Sequence, residues 1–168
     1  FKNIIRAVPD SRIVLYNFAK LSGYTFTPEV TSRLIKNFPK NIVGMKDSTG
    51  NLWDNFKAEN FSMFVGSEKK LLDGLKVGAV GCISATTNVT GPLAKKVYDD
   101  FHKNGNSSSN EKLKTLRTIF DDTGNLISAL HTFKSLENKA YENLLPPLEL
   151  LNDSKKEEMI KKLKSLNF

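Results

Sequence analysis

The chain has 168 residues, 39% hydrophobic and 26% charged, which suits a packed core and argues against disorder over most of its length. Its net charge is +7, but the lysines are dispersed; only Lys155-Lys156 and Lys161-Lys162-Lys164 approach a patch, on an amphipathic helix with a solvated face, and no nucleic-acid module is present. The single Cys82 excludes a disulfide framework and a thiol metal site, neither His102 nor His131 has a partner at metal-ligand spacing, and no apolar run reaches the ~18 residues of a membrane-spanning helix.

The chain starts at Phe1 without a methionine, inside what reads as the end of a helix, so part of a longer protein is expected upstream. No signal peptide is recognisable, and a cytoplasmic location is expected. An apolar run over 12–16 predicts the first strand, followed by a loop with Ser22-Gly23 as its turn signal. Thr27 is placed as an N-cap with Pro28 at the first helical position and Glu29 in the first turn. That helix carries Val30, Leu34 and Ile35 on one face and ends near Pro39.

A second strand is expected over 42–46, closed by the turn-rich Asp47-Ser48-Thr49-Gly50, and a short helix should hold Leu52, Trp53 and Phe56. The third strand is predicted over 62–65, a helix over 68–77 with Leu71, Leu72 and Leu75 inward, and the fourth strand over 80–84. Beyond it the pattern turns helical. Leu93, Val97 and Phe101 predict an amphipathic helix over 92–103. A Gly/Ser/Asn loop over 104–110 is the candidate mobile tip. One long helix is expected over 111–136 and irregular chain over 138–147. The capping box Ser154-Lys-Lys-Glu157 should start a last helix through Leu166.

Strands separated by helical patterns imply parallel pairing through right-handed crossovers. Each strand ends in polar or reactive residues: Tyr16-Asn17, Lys46-Asp47, Gly66-Ser67-Glu68 and Ser84. Both a β/α barrel and a doubly wound sheet put ligands at that end; there is no Gly-rich dinucleotide fingerprint to favour the latter. Lysine is rarely buried without a partner, so Lys46 at the end of an apolar strand draws attention. A lysine forced out of water loses its charge more readily and becomes a nucleophilic amine. With a phenol nearby to carry protons, it can form a Schiff base with a carbonyl substrate.

The segments "IVLYN", "NIVGMKDSTGN", "VGSEKKLLDGLKVGAVGCIS" and "TTNV" resemble the dihydrodipicolinate synthase / N-acetylneuraminate lyase family of pyruvate-dependent class I aldolases. The resemblance is strongest over 1–101. It implies a (β/α)8 TIM barrel, of which this chain supplies the last four βα units plus a C-terminal helical extension. Residues 1–91 would be the C-terminal half of the barrel and 92–168 the last barrel helix and the extension. Eight-fold barrels typically need about 250 residues, which fits a missing first half.

The resemblance makes Lys46 the Schiff-base lysine for pyruvate or another 2-oxo acid, and Tyr16 the proton shuttle. It places Ser48, Gly66 and Glu68 toward the rest of the substrate and Ser84 on the wall near the bound oxo acid. It implies a lyase or aldolase with no cofactor and no metal, a small-molecule 2-oxo acid as partner, and a homo-oligomer, a tetramer in the family. The family's paired threonines that hold the oxo-acid carboxylate, and the tyrosine exchanged between subunits, are not in this chain.

Departures shape the substrate reading. Ala19 stands where the family often has proline. Leu21 stands where the lysine-biosynthesis branch has an arginine for a second carboxylate, and leucine cannot pair an anion. A 2-keto-3-deoxy sugar acid or sialate-like substrate is therefore expected, with 4-hydroxy-tetrahydrodipicolinate synthase or a related dehydratase as the alternative. A further alternative is an inactive half-barrel acting as an assembly module, since four strands leave two open edges. Taken singly, Glu68 also suits a helix start, Ser48 a turn, Ser84 a tightly packed wall, and Asn17 the holding of loop backbone.

Overall fold

The computed structural model describes residues 1–168, and the chain divides into two compact units, Phe1–Ile83 and Ser84–Phe168. This division falls eight residues before the boundary expected from the sequence.

In the first unit, helix α1 (Lys2–Ala7) leads into a four-stranded parallel sheet in the order β1 (Ile13–Asn17), β2 (Ile42–Asp47), β3 (Ser62–Val65) and β4 (Gly81–Cys82). The β1–β2 crossover holds a short α2 (Ala19–Ser22) and α3 (Pro28–Asn37). Thr27 caps α3 by accepting the Val30 N–H at 3.3 Å, with Pro28 in the first turn. Leu34 and Ile35 of α3 pack onto the core formed by Leu15, Ile42, Met45, Met63 and Val65. The β3–β4 crossover is a 3-10 turn (Glu68–Lys70) followed by α4 (Leu71–Lys76), which buries Leu71, Leu72 and Leu75. The helices cover the face of the sheet that carries Leu15, Met45 and Met63, while Val14 and Tyr16 on the other face stay exposed.

Two expectations are corrected here. The β2–β3 crossover contains no helix: residues 48–61 are bends, turns and irregular chain. Leu52 and Phe56 are nevertheless buried, and Phe56 meets Phe61 edge-to-face at 5.8 Å, so this compact loop does the packing that the expected helix was to do. The fourth strand is two residues long, because only Gly81 and Cys82 pair with Phe64 and Val65.

The second unit is helical: α5 (Thr87–Asn104), α6 (Asn110–Asp121), α7 (Leu126–Ser135), a 3-10 turn (Lys139–Glu142) and α8 (Asp153–Ser165). Its core joins Leu116, Ile119 and Phe120 of α6 to Ala129 and Leu130 of α7 and Met159 and Leu163 of α8. Helix α5 starts five residues before Pro92, which lies inside it. The polar loop after it is tied down: the Ser107 hydroxyl donates to Asp100 Oδ2 at 2.7 Å, and Ser107 is buried. The long helix expected over 111–136 is broken. Gly124 takes φ +89°, and the Asn125 side chain accepts the Ile127 and Ser128 N–H groups, starting α7 afresh. Asn152, not Ser154, caps α8, accepting the Lys155 N–H at 3.0 Å. No helix is long and apolar enough to cross a membrane.

Candidate active site

Strands β1 and β2 run in register at their C-terminal ends, with Tyr16 opposite Lys46 and Asn17 opposite Asp47; β3 sets Phe64 beside Lys46 and Val65 beside Asp47. Side chains alternate along a strand, so Tyr16, Lys46 and Phe64 share the open face, while Asn17, Asp47 and Val65 share the helix-covered one. The structure thus brings the two expected catalytic side chains together. Lys46 Nζ stands 4.0 Å from the centroid of the Tyr16 ring, a cation–π contact. Desolvation by the strand context, however, is corrected: Lys46 is half-buried and Tyr16 is 49% exposed. The physical reason is their face. The apolar residues that bury the sheet belong to the alternate positions.

Directly behind this pair lies a buried polar network. Asp47, 2% exposed, takes four hydrogen bonds on its carboxylate. Oδ1 accepts from Asn17 Nδ2 and the Gly50 N–H, both at 2.9 Å; Oδ2 accepts from the Leu52 N–H at 2.8 Å and the Trp53 N–H at 3.0 Å. Asn17, fully buried, gives its other amide hydrogen to Asn51 Oδ1 at 2.8 Å and accepts the Phe26 N–H at 3.1 Å. Asn51 Nδ2 in turn donates to the Phe26 carbonyl. The Ser48 and Thr49 N–H groups both donate to the Asn17 carbonyl, and the Thr49 hydroxyl accepts the Ala19 N–H. Asn17 therefore holds loop backbone, as its position in the sequence suggests. The Asp47 and Asn51 roles escaped the sequence reading, although Asp47-Ser-Thr-Gly50 at a strand end is a signal for a carboxylate that collects turn amides.

The remaining expected site residues divide. Ser48 and Gly66 meet each other: a Cβ on Gly66 would lie 2.5 Å from Ser48 Cα, so glycine there makes room for the β2 loop. Gly66 also donates its N–H to the Asp47 carbonyl at 2.9 Å. Glu68 is fully buried at the start of the 3-10 turn capped by Ser67. Burial pushes the Cys82 thiol up to about 11, and the charge of Glu68 adds to the shift. Ser84 lies beyond β4, in the second unit, where its hydroxyl accepts from Arg117 Nη1 at 2.9 Å while Arg117 Nε donates to Asp121 Oδ1 at 2.8 Å.

A primary amine stacked on a phenol at the ends of two parallel strands can attack a carbonyl and pass protons. Known proteins of similar sequence and shape set the chain in a family. A model of the dihydrodipicolinate synthetase family matches residues 1–166. The chain is 27% identical over 173 residues to a 4-hydroxy-tetrahydrodipicolinate synthase of Prochlorococcus marinus (strain NATL2A), covering 99% of this chain and 57% of that protein. It is 38% identical over 93 residues to a protein of the same name from Thermus thermophilus, covering 52% of this chain and 31% of that one.

Among solved structures, it aligns with a prophage protein of the dihydrodipicolinic acid synthase family from E. coli K12 in complex with pyruvate, at TM-score 0.81, 19% identity and coverage of 99% and 59%. It aligns with the N-acetylneuraminate lyase from Fusobacterium nucleatum at TM-score 0.79, 21% identity and coverage of 98% and 58%. The chain thus spans a little over half the length of such relatives, and its four-stranded parallel sheet is consistent with part of their barrel. The chain belongs to the dihydrodipicolinate synthetase family.

Proposed function

We propose that the protein carrying this chain is a class I lyase that binds a 2-oxo acid as an imine on Lys46, with Tyr16 relaying protons, and that residues 1–91 are the last four strands of its β/α barrel. The observation that carries this reading is the 4.0 Å contact between Lys46 Nζ and the Tyr16 ring on the open face of adjacent, in-register strands. The neutral amine adds to the C2 carbonyl of the oxo acid, and the carbonyl oxygen leaves as water after two proton transfers. The protonated imine then takes the electron pair of the C3–C4 bond as it breaks, while the C4 hydroxyl gives up its proton and becomes an aldehyde. Condensation is the same sequence reversed. In this reading the phenol of Tyr16 takes and returns those protons.

The open face needs a cover before it can exclude water, and the first half of a closed barrel, in a cytoplasmic homo-oligomer, is the proposed cover. Ser48, Gly66 and Glu68 line or support the substrate side in this reading. Leu21 is 76% exposed on α2 and offers no charge to a second carboxylate, which favours a 2-keto-3-deoxy sugar acid. The names of the relatives favour a second reading, 4-hydroxy-tetrahydrodipicolinate synthase, with an aldehyde that carries its own amino-acid carboxylate. Borohydride reduction of the complete gene product with pyruvate should leave a covalent adduct on Lys46, read by peptide mass spectrometry. An unmodified Lys46 overturns the proposal. Turnover of aspartate semialdehyde in preference to sugar acids selects the second reading.

A further inference from the structure

We infer that Asp47, Asn17 and Asn51 are positioning residues for the Lys46–Tyr16 pair, fixing from the buried face of the sheet where the reactive groups stand on the open one. The inference rests on the proposed imine chemistry for its catalytic consequence, though not for its geometry. Asn17 and Asp47 directly follow Tyr16 and Lys46 and pair across the same two strands. The side-chain bond between them, Asn17 Nδ2 to Asp47 Oδ1 at 2.9 Å, bolts the two strand ends together one residue past the pair. Neighbouring residues of a strand project to opposite faces, so a slip or splay of this bolt carries Tyr16 away from Lys46.

The chemistry of the bolt is demanding. All four contacts on the Asp47 carboxylate are donors: one side-chain amide and three turn N–H groups. Only a group that accepts on both oxygens satisfies them. An isosteric amide would turn N–H against N–H at Leu52 and Trp53, in a buried site where the lost bonds are costly. Asn17 is equally constrained, because both its amide hydrogens and its oxygen are engaged. Its bonds to Asn51 and the Phe26 N–H extend the bolt to the loop after β1. The placement of that loop and of the amine are thereby set by one buried cluster.

Two readouts test this on the complete gene product. The first is the rate of borohydride-trappable adduct at saturating pyruvate. Asn17→Ala and Asp47→Asn should slow it about 10- to 100-fold, Asp47→Glu, which keeps two accepting oxygens, should recover part of it, and the pyruvate concentration for half-saturation should change far less than the rate. Leu75→Ala, a buried change in α4 outside the network, should lower the melting temperature without this loss. The second needs no reaction. In reductively 13C-methylated protein, the Lys46 methyl signal, assigned through Lys46→Arg, should be ring-current shifted by Tyr16. In Asn17→Ala and Asp47→Asn it should move to the position of an ordinary lysine.

Folded variants with wild-type trapping and an unmoved Lys46 signal overturn the inference. A wild-type protein that traps no pyruvate, with a signal that still moves in the variants, sinks the imine reading and leaves the positioning role standing. If Asp47→Asn does not fold, Asn51→Ala, at a half-exposed site with two side-chain bonds, decides by the same signal: movement supports the inference and no movement overturns it.

Discussion

A glycine that touches a serine on the neighbouring loop explains part of the shape of the strand ends. Gly66 lies against Ser48, and any side chain at 66 must push the β2 loop aside. Gly66→Ala should therefore cost about 1–3 kcal/mol, read as a lowered urea midpoint, and adding Ser48→Gly should recover only part, since Ser48 Cα itself is within 2.5 Å of the new Cβ. The one thiol gives a pH-dependent counterpart. Cys82 is raised from an ordinary 9.0 to about 11 by burial first and Glu68 second. Between those values the unfolded chain has released the proton and the folded one has not, so stability falls as pH rises through this window and is fully present below about 9. A stability–pH curve for wild type minus Cys82→Ala should show that decline; a flat difference contradicts it. At this scale the sequence was legible where a role is local. Lys46, Tyr16 and Asn17 can be picked out because each ends an apolar run, and three of the four donors to Asp47 are amides of its own turn, whereas the Asn17 donor and the Ser48–Gly66 contact join separate segments of the chain.

Element boundaries follow the same logic of local signal against tertiary demand. The strands were readable because a parallel sheet with a covered face writes short apolar runs. The break in the helical pattern at 122–125 was not, since apolar spacing continues across it from Phe120 to Ile127; the sequence sign was Thr123-Gly124-Asn125, a left-handed glycine followed by a capping asparagine. The missing helix between β2 and β3 was misread because Leu52, Trp53 and Phe56 have helical spacing yet fill the core from a turn. The last helix offers a direct contrast between the two cap candidates. Asn152 accepts an N–H from the first turn, while Ser154 is an exposed residue inside α8. Asn152→Ala should lower stability by about 1 kcal/mol and Ser154→Ala should be neutral or slightly stabilising, because alanine is the better helix former. Urea midpoints of the two variants check this, and a larger loss at Ser154 would restore the capping box read from the sequence.

For the chain as a whole, the decisive feature is a sheet dressed on one face only. Leu15, Met45 and Met63 are covered by helices, while Val14 is 43% and Tyr16 49% exposed on the opposite face, and Val80 and Ile83 flanking β4 are exposed as well. In the closed barrel proposed above, such a face would be filled by layers of side chains from all eight strands, which would account for apolar residues that nothing here covers. Strands β1 and β4 are also edges of the sheet, with backbone groups available for further pairing. The 168-residue chain on its own should therefore bind a hydrophobic dye and sediment with a weight-average mass that rises with concentration. Replacing Val14 by Lys should weaken both effects, because a charge in the middle of the face opposes its burial against any second surface. The helical unit provides an internal control: changes on exposed α8 residues such as Lys161 should leave the self-association as it was. A chain that stays monomeric at every concentration and binds no dye would mean that the exposed row tolerates water by itself. The imine reading would then lose its explanation of how Lys46 and Tyr16 come to be shielded from solvent.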